Sequence, residues 1–322
     1  MLFQKLNDVS ICIPARNEAK SIESIATFCL SLLGDHCEVI VGANGCTDST
    51  EQIVETLAKS DSRLRLVRSD PGKSYAVNAL VKAARNNILL FLDADVRFER
   101  EAPIALVNFL RGTDYVAACP DLQVIVESPY AIVRKARRLW HMPLRVSTEM
   151  GLTGAMYALK KVEFLKALKD RGYPEIPPVI NEDHFIHLVL EDRERGKKRW
   201  SNVPQAVVSY KRSGVFDSYK RAKRIIKGDL QLLNEHPSLG LRNDEHAEIS
   251  PTGKHETSDE RRQRRIQTFK GLTLGDKLLM IMMLPIKRSV FLLLWKLAIY
   301  NAKDEFRKKR NMVGWTPTQS DR

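Results

Sequence analysis

The most informative segment of the chain is Phe91-Leu-Asp-Ala-Asp-Val96, which follows the apolar run 88–90. It places two carboxylates, Asp93 and Asp95, at the end of a buried strand, where each would be desolvated and would repel the other. A divalent cation removes both penalties, so this pattern indicates a hard-metal site that holds a diphosphate. For so short a motif, the alternative is a loop that carries two exposed aspartates.

Strands and helices alternate along the N-terminal part of the chain. The apolar patterns predict strands over residues 9–14, 37–42, 64–67 and 88–92, and helices over residues 21–33, 50–59 and 74–85. This alternation predicts an α/β fold with a mostly parallel sheet. Because ligands of open α/β sheets lie at the carboxyl ends of the strands, one rim is expected to collect Asn17, Asn44, Asp48, Lys73 and Asp95.

Five short motifs occur in the order found in the family-two inverting glycosyltransferases. They are Ile13-Pro-Ala-Arg-Asn-Glu18, Asn44-Gly-Cys-Thr-Asp48, Gly72-Lys73, Phe91-Leu-Asp-Ala-Asp95 and Asn181-Glu-Asp183. The resemblance covers about residues 8–230. It implies the GT-A fold, a Rossmann-like mixed sheet with helices on both faces. It also implies an inverting, metal-dependent transfer of a hexosyl or N-acetylhexosaminyl group from a nucleotide sugar.

The resemblance implies that the donor nucleotide binds near the N-terminal motifs. The residues that look like the family's first nucleotide-contacting loop are Pro14, Arg16, Asn17 and Glu18. Asn44 stands where many members carry an aspartate that reads the base or ribose, and uridine is the expected base. Asp48 keeps the later acidic position of that motif, or is the N-cap of the following helix, which is the favoured interpretation. Lys73 either reaches a phosphate as a point charge or is a solvated loop lysine.

The metal and the base are also implied by the resemblance. Asp95 would be the direct ligand of Mn²⁺ or Mg²⁺, and Asp93 would contact the ribose or a metal-bound water. Asp183 would deprotonate the acceptor hydroxyl, and the neighbouring Glu182 would hinder double ionisation and raise a pKa. Alternatively or in addition, Asn181, Glu182 and Asp183 complement the dipole of the following helix. His184 is expected to be structural.

A glycine-bearing segment at residues 151–160 resembles the family's strand that lines the acceptor and sugar pocket. There, Thr153 and Gly154 would border the sugar, because a glycine allows close backbone approach. The alternative is a bulge or kink where the sheet crosses.

The family's Gln-x-x-Arg-Trp motif has its best match in Arg221-Ala-Lys-Arg-Ile225. Arg224 keeps the cation that would meet the leaving diphosphate, and Arg221 replaces the glutamine at the donor site. The missing tryptophan removes a stacking platform for an acceptor sugar. This departure argues against a long-chain synthase and favours a lipid-linked or small saccharide acceptor, as in cell-envelope glycan or glycolipid synthesis.

The chain carries a net charge of +13, which is unevenly distributed. Residues 1–192 hold 23 of the 52 Lys and Arg and 25 of the 39 Asp and Glu, whereas residues 193–322 hold 29 and 14. Such asymmetry indicates an anionic partner. Nucleic acid is not expected, because no recognised binding motif is present, so an anionic membrane surface is favoured.

The C-terminal part supports the membrane interpretation. Residues 278–300 are strongly apolar but are interrupted by Pro285 and Lys287-Arg288, which predicts a pair of interfacial helices and no span. The alternative is a helix pair packed on the catalytic domain or on a second subunit. The predicted organisation is a catalytic domain at 1–235, a flexible polar insertion at 236–268 and a basic, amphipathic helical tail at 269–322.

The remaining features predict the compartment. The five cysteines are odd in number and lack zinc spacing, and the N-terminus shows no signal peptide. Both features predict a cytoplasmic protein, peripheral on the inner face of the cell membrane. A sugar nucleotidyltransferase is disfavoured because the first loop has no glycine. The alternative from another class is a non-catalytic GT-A-like scaffold that binds membrane or nucleic acid through its basic tail.

Overall fold

The computed structural model describes residues 5–125, 152–192, 197–211, 215–239 and 296–304 of the chain. Within these residues the strands are β1 (Val9–Ala15), β2 (Glu38–Asn44), β3 (Leu64–Ser69), β4 (Ile88–Leu92), β5 (Arg97–Phe98), β6 (Ala117–Ile125), β7 (Met156–Lys160), β8 (Glu191–Asp192), β9 (Lys197–Lys198) and β10 (Trp200–Lys211). The helices are α1 (Ile22–Leu32), α2 (Thr50–Ser60), α3 (Lys73–Ala83), α4 (Glu101–Arg111), α5 (Lys161–Asp170), α6 (Glu182–Val189) and α7 (Val215–Glu235). A 3₁₀ turn follows at Pro237–Leu239, and residues 296–304 are helical.

The main sheet has the strand order β3-β2-β1-β4-β7-β6-β10-β5. The first four strands in this order are parallel to one another, as the alternation of strands and helices predicted. β7 is antiparallel to both of its neighbours, β4 and β6, and the short β5 is antiparallel to β10. The sheet is therefore mixed, and β4, which leads into the Asp-Ala-Asp motif, lies at its centre.

The sheet is covered on both faces, which explains why β2 is buried along its whole length. Alternate residues of β1 point to opposite faces, because side chains alternate along a strand. Ile11 and Ile13 pack in a core with α1, α2 and α4, whereas Cys12 packs in a second core with α3, α5 and α6. The prediction of a mixed α/β sheet with helices on both faces is confirmed.

A buried carboxylate closes the amino end of the parallel strands. Glu38, 3% exposed, accepts hydrogen bonds from Ser10 Oγ at 2.8 Å and from the backbone N–H of Arg85 at 2.7 Å. Its other oxygen accepts from Arg65 Nε at 3.0 Å and Nη2 at 2.6 Å. Burial opposes ionisation of Glu38, but these donors outweigh it and lower the pKa of the carboxyl. The cluster joins β1, β2, β3 and the start of β4.

The helix at 296–304 packs against α7. Ala298 and Ala302 are fully buried beside Ile226 and Leu230. The other side of this helix exposes apolar surface, since Tyr300 is 71% exposed. The remainder of the predicted interfacial pair, residues 278–295, lies outside the described residues. Among the described residues, none of the helices combines the length and the apolar character needed to cross a bilayer.

The start of the predicted flexible insertion belongs to the packed domain. Leu239 is 3% exposed in the second core, and His236 Nδ1 lies 3.2 Å from the hydroxyl of Tyr173. Residues 240–268 of the predicted insertion lie outside the described residues. The folded domain therefore extends to at least residue 239.

Candidate active site

A cleft opens at the carboxyl ends of β1, β2 and β4. It encloses about 480 Å³, including its open mouth. Its lining residues are Pro14, Arg16, Glu18, Asn44, Lys73, Asp93, Ala94, Asp95 and Arg224. Apart from Ala94, all of these were predicted from the sequence as site residues. The fold brings together residues from the two ends of the domain at the rim where an α/β sheet binds its ligands.

The first loop is shaped by bonds to its neighbour. Asn17 has a φ of +60°, a left-handed conformation that asparagine tolerates, and its Oδ1 accepts a hydrogen bond from the N–H of Thr47 at 2.8 Å. The N–H of Glu18 donates to Thr50 Oγ1 at 2.8 Å. Asn17 is thus committed to the adjacent loop and is not among the residues that line the cleft, whereas Arg16 and Glu18 on either side of it are.

Asp48 holds the same two loops together from the other side. Its Oδ2 accepts from the N–H of Ala19 at 3.1 Å, and its Oδ1 accepts from the N–H of Thr50 at 3.0 Å and from Thr50 Oγ1 at 2.5 Å. Burial opposes ionisation, but these donors lower the pKa of Asp48. The N-cap of α2 is Ser49, so Asp48 precedes the cap and joins the loops beside the cleft. The N-cap interpretation that the sequence favoured for Asp48 is therefore wrong.

Asn44 ends β2 and reaches the cleft with its amide. Its Oδ1 accepts a hydrogen bond from the N–H of Gly72 at 2.7 Å. Because only the oxygen can accept, this bond fixes the orientation of the amide. Within the described part of the chain, no group accepts from Asn44 Nδ2. Asn44 therefore offers a hydrogen-bond donor at the position where an aspartate would offer only acceptors.

Lys73 is the first residue of α3 and follows Gly72, whose φ of +139° favours glycine. Its Nζ lies 2.8 Å from Asp93 Oδ1 and 3.0 Å from Glu182 Oε1. Neither of the sequence interpretations, a phosphate contact or a solvated loop lysine, included these partners. The ammonium group joins the predicted metal motif, Asp93-Ala-Asp95 after β4, to the first turn of α6, and the side chain is only 18% exposed.

Gly154 lies where the carboxylates of the metal motif and of α6 meet. It sits in the turn before β7, whereas the sequence resemblance placed it within a strand at residues 151–160. Its N–H donates to Asp183 Oδ2 at 2.8 Å. A Cβ at this position would lie 2.8 Å from Lys73 Nζ, 3.4 Å from Asp183 Oδ2 and 3.8 Å from Asp93 Oδ2. Only a glycine leaves these groups undisturbed.

The neighbouring Thr153 has a local role in the same turn. Its Oγ1 accepts from the N–H of Ala155 at 3.3 Å, and the carbonyl of Ala155 accepts from the N–H of Asp93 at 3.1 Å. The turn is thereby attached to the metal motif. Thr153 is not among the residues that line the cleft.

The charges beneath the cleft are crowded. Glu182 is 3% exposed, and burial raises its pKa. Lys73 acts in the opposite direction, while Asp183 and Asp93 raise the pKa further. For Lys73 itself, burial alone would lower the pKa, but attraction from Asp93, Glu182 and Asp183 outweighs it and raises the pKa. Burial and the same three carboxylates raise the pKa of Tyr157, which lies on β7 below them.

A buried polar network attaches α7 to α6. Asn181 Nδ2 donates to the carbonyl of Ile225 at 2.8 Å and to Asp229 Oδ1 at 2.9 Å. His184 Nδ1 lies 2.8 Å from the same oxygen of Asp229, which is 2% exposed. Gly228 makes this approach possible, since a Cβ there would lie 2.3 Å from Asn181 Cγ. His184 is thus held by a buried carboxylate at the start of α6.

The network determines where the arginines of α7 lie. Arg224, one position before Ile225, lines the cleft, whereas Arg221 is exposed and is not among the lining residues. Asp229, Gly228 and Tyr157 were not found from the sequence. The one available signal for Asp229 was an acidic residue that follows a run of basic residues on an amphipathic helix.

The carboxylates of the metal motif fit a hard divalent cation. Asp93 and Asp95 both line the cleft and offer oxygen ligands. Among the described residues, no group of three or more His, Cys, Asp or Glu side chains is placed to hold a metal ion by itself. Two carboxylates suit Mg²⁺ or Mn²⁺, since Mg²⁺ commonly takes one or two carboxylates and completes its ligands with water and substrate phosphates.

The fold and the cleft define a GT-A glycosyltransferase architecture. The mannosyltransferase PcManGT from Pyrobaculum calidifontis, solved in complex with GDP-Man and Mn²⁺, superposes with a TM-score of 0.58 at 16% sequence identity. The match covers 94% of this chain and 88% of that one. At this identity the likeness shows the shared fold.

The family follows from the sequence. Residues 10–158 match the family described as Glycosyl transferase family 2, and this part of the chain is a family-two glycosyltransferase domain. It contains the loops after β1 and β2, Lys73 and the Asp-Ala-Asp motif. The recognition made from the five motifs is confirmed.

Two curated relatives match parts of the chain. The glycosyltransferase AglD of Haloferax volcanii is 35% identical over 118 residues, which cover 34% of this chain and 19% of the relative. Poly-beta-1,6-N-acetyl-D-glucosamine synthase of Staphylococcus epidermidis is 23% identical over 193 residues, which cover 58% of this chain and 46% of the relative. The chain thus spans less than half the length of these two relatives.

Proposed function

We propose that this protein is a metal-dependent, inverting glycosyltransferase that transfers a sugar from a nucleoside-diphosphate sugar to a lipid-linked or saccharide acceptor. One observation carries the proposal. Asp93 of the metal motif and Asp183 of α6 both lie within 4 Å of one point, since a Cβ on Gly154 would be 3.8 Å from Asp93 Oδ2 and 3.4 Å from Asp183 Oδ2. A carboxylate that would hold the metal and a candidate base therefore lie close together, with Asp93 lining the cleft and Asp183 next to it.

The chain's own groups would orient the donor. Arg16, Glu18 and Asn44 would contact the nucleoside, and the amide Nδ2 of Asn44 would meet an acceptor atom of the base or ribose. Arg224 and Lys73 would face the diphosphate as cations, and they stabilise charge that develops on it as the sugar leaves. Mn²⁺ or Mg²⁺ held by Asp95 and Asp93 would supply further neutralisation of that charge.

Asp183 would take the proton from the acceptor hydroxyl. The N–H of Gly154 donates to Oδ2 at 2.8 Å and the N–H of His184 donates to Oδ1 at 2.9 Å, so the carboxylate is held from both sides. A fixed base is required because proton transfer needs hydrogen-bond distance to the reacting hydroxyl. A single displacement with Asp183 on the acceptor side inverts the anomeric configuration, which NMR of the product would show.

A lipid-linked acceptor would place the protein on the inner face of the cell membrane. Residues 193–322 carry 29 Lys and Arg against 14 Asp and Glu, and the helix at 296–304 exposes Tyr300 beside its packed face. Basic segments with interfacial aromatic residues bind anionic lipid surfaces. Cosedimentation with vesicles of phosphatidylglycerol, but not of phosphatidylcholine alone, would support this assignment. If the protein binds neither kind of vesicle, a saccharide acceptor is favoured.

The experiment that tests the proposed function is calorimetric titration with UDP, GDP and their sugar conjugates, with and without Mn²⁺. UDP is included because the sequence resemblance favours uridine. The variant Asp95→Ala is expected to lose the metal-dependent part of binding. Asp114→Ala is the matched control, since Asp114 is exposed and belongs to the loop after α4. If no nucleotide binds under any condition, the proposed function fails and the scaffold alternative is favoured.

A further inference from the structure

Lys73 pairs with one carboxylate of the predicted metal motif. Its Nζ lies 2.8 Å from Asp93 Oδ1, within the motif that would hold the cation. Its second partner, Glu182 Oε1 at 3.0 Å, belongs to the helix that carries the candidate base. The ammonium group therefore neutralises carboxylates from both halves of the site.

The ammonium group of Lys73 is closely packed on the side away from the open cleft. Gly154 borders the ammonium so closely that one added Cβ would lie 2.8 Å from Nζ. Glu182 is 3% exposed and its Oε1 accepts no hydrogen bond within the described residues, so the ion pair with Lys73 is its compensation there. A metal that approaches Asp93 alone must compete with a cation that the fold already supplies.

A diphosphate changes this balance. Lys73 lines the cleft together with Asp95 and Arg224, so it is accessible to an anion that enters. Phosphate oxygens give the ammonium a new partner, and they also give the metal the ligands that two carboxylates cannot provide. The new partner for Lys73 and the added ligands for the metal both strengthen metal binding, and both require the nucleotide.

We propose that Lys73 is a resident cation that holds Asp93 until the donor diphosphate arrives, so that metal and nucleotide bind as a coupled pair. The inference rests on the proposed function and assigns Lys73 as a positioning residue within it. Because coupling between two ligands is reciprocal, the nucleotide must strengthen metal binding by the same factor as the metal strengthens nucleotide binding.

The test is the affinity for Mn²⁺ without any nucleotide, measured on the full chain from the electron paramagnetic resonance signal of free Mn²⁺. The unaltered protein is expected to bind Mn²⁺ at least about tenfold more tightly when UDP or GDP is present. Lys73→Met is expected to tighten binding of Mn²⁺ alone by roughly tenfold and to reduce the coupling factor by a similar amount. Lys82→Met, at an exposed position on the same helix, removes an equal charge and is expected to change neither value.

A second variant guards against loss of the fold. Lys73→Met leaves the buried Glu182 without its cation, which is destabilising. The double variant Lys73→Met/Glu182→Gln removes that stranded charge and is expected to show the same tighter binding of Mn²⁺ alone, with circular dichroism like that of the unaltered chain.

The outcomes separate this inference from the proposed function. Unchanged affinity for Mn²⁺ alone in both variants, with the coupling factor intact, would overturn the role of Lys73 while the glycosyltransferase proposal stands. Absence of nucleotide binding by the unaltered chain would overturn the proposed function and with it the coupling. Tighter Mn²⁺ binding in the variants, together with reduced coupling, supports both.

Discussion

Two glutamates at opposite ends of the parallel strands are equally buried but behave in opposite ways. Glu38, at the amino end, and Glu182, at the carboxyl end, are each 3% exposed, and each lies in an ion pair. The pKa of Glu38 is lowered and that of Glu182 is raised. Burial alone therefore does not decide the ionisation of a carboxyl in this protein.

The difference lies in the number of donors and in the neighbouring charges. Glu38 accepts hydrogen bonds from Ser10, Arg65 and the backbone of Arg85. Glu182 shares Lys73 with Asp93 and is repelled by Asp93 and Asp183. The amino end of the sheet thus satisfies its buried charge, whereas the carboxyl end keeps like charges together. Such crowding is typical of catalytic sites, where stability is sacrificed for reactivity.

The largest expected effect is the loss of transfer when a carboxylate at the crowded end is removed. Asp183→Asn is expected to lower the rate of transfer by about 10²–10⁴-fold, because a general base contributes that much. Nucleotide binding should remain, since Asp183 is not among the residues that line the cleft. Steady-state transfer assays and calorimetry on the same preparation measure the two quantities. Full activity in this variant would remove Asp183 from the mechanism.

The next effect compares the same substitution at both ends. Glu38→Gln is expected to lower the free energy of unfolding by about 2–3 kcal/mol, because hydrogen bonds to a buried charge are lost. Glu182→Gln is expected to change it by less than about 1 kcal/mol or to stabilise the fold, because repulsion within the acidic cluster is relieved. Urea unfolding measures both values. Equal losses in the two variants would contradict the distinction between the ends.

A smaller effect is expected from a methyl group added at the junction of the carboxylates. Gly154→Ala is expected to lower activity by roughly tenfold, since the added atom must displace Lys73 or Asp183, at a cost of order 1 kcal/mol. Gly112→Ala is the control, because a Cβ there would have its nearest neighbour at 3.5 Å. Both variants are compared by kcat and KM at matched folded fraction. Similar kinetics for the two would show that the junction tolerates a side chain.

The sequence predicted the central sheet and most of the cleft, because their signals are local. The apolar run before Asp93 marks β4, and the strand-helix alternation places Asn44, Lys73 and Asp95 at one rim. The antiparallel position of β7 between β4 and β6 is set by long-range pairing and has no local signal. Gly154 lies in the turn before β7, so its contacts with the carboxylates depend on the same long-range pairing.

The partners of charged side chains were the part that the sequence did not predict. Lys73 was expected to meet phosphate or solvent, but its ion pairs join segments far apart in the chain. Glu38 lies within an apolar strand, and its four donors come from three other segments. Asn17 and Asp48 occupy positions in the sequence motifs, and in the structure their hydrogen bonds join the loops beside the cleft. Residue type indicates which chemistry is possible, whereas tertiary contacts decide which partner each group takes.

The smallest expected effect is in the pH dependence of stability, where the two glutamates should act in opposite directions. The pKa of Glu38 is lowered by folding, so its stabilisation is present above the ordinary value of 4.5 and is lost as the pH falls through the folded pKa. The pKa of Glu182 is raised by folding, so its stabilisation of the folded state is present below 4.5 and is lost as the pH rises through the folded pKa. Urea unfolding of the unaltered chain, Glu38→Gln and Glu182→Gln across this range measures both. The stability of the unaltered chain relative to Glu38→Gln should rise from acid to neutral pH, whereas its stability relative to Glu182→Gln should fall. If the free energy of unfolding of the two variants depends on pH in the same way, the two ends of the sheet hold their buried charges in the same way.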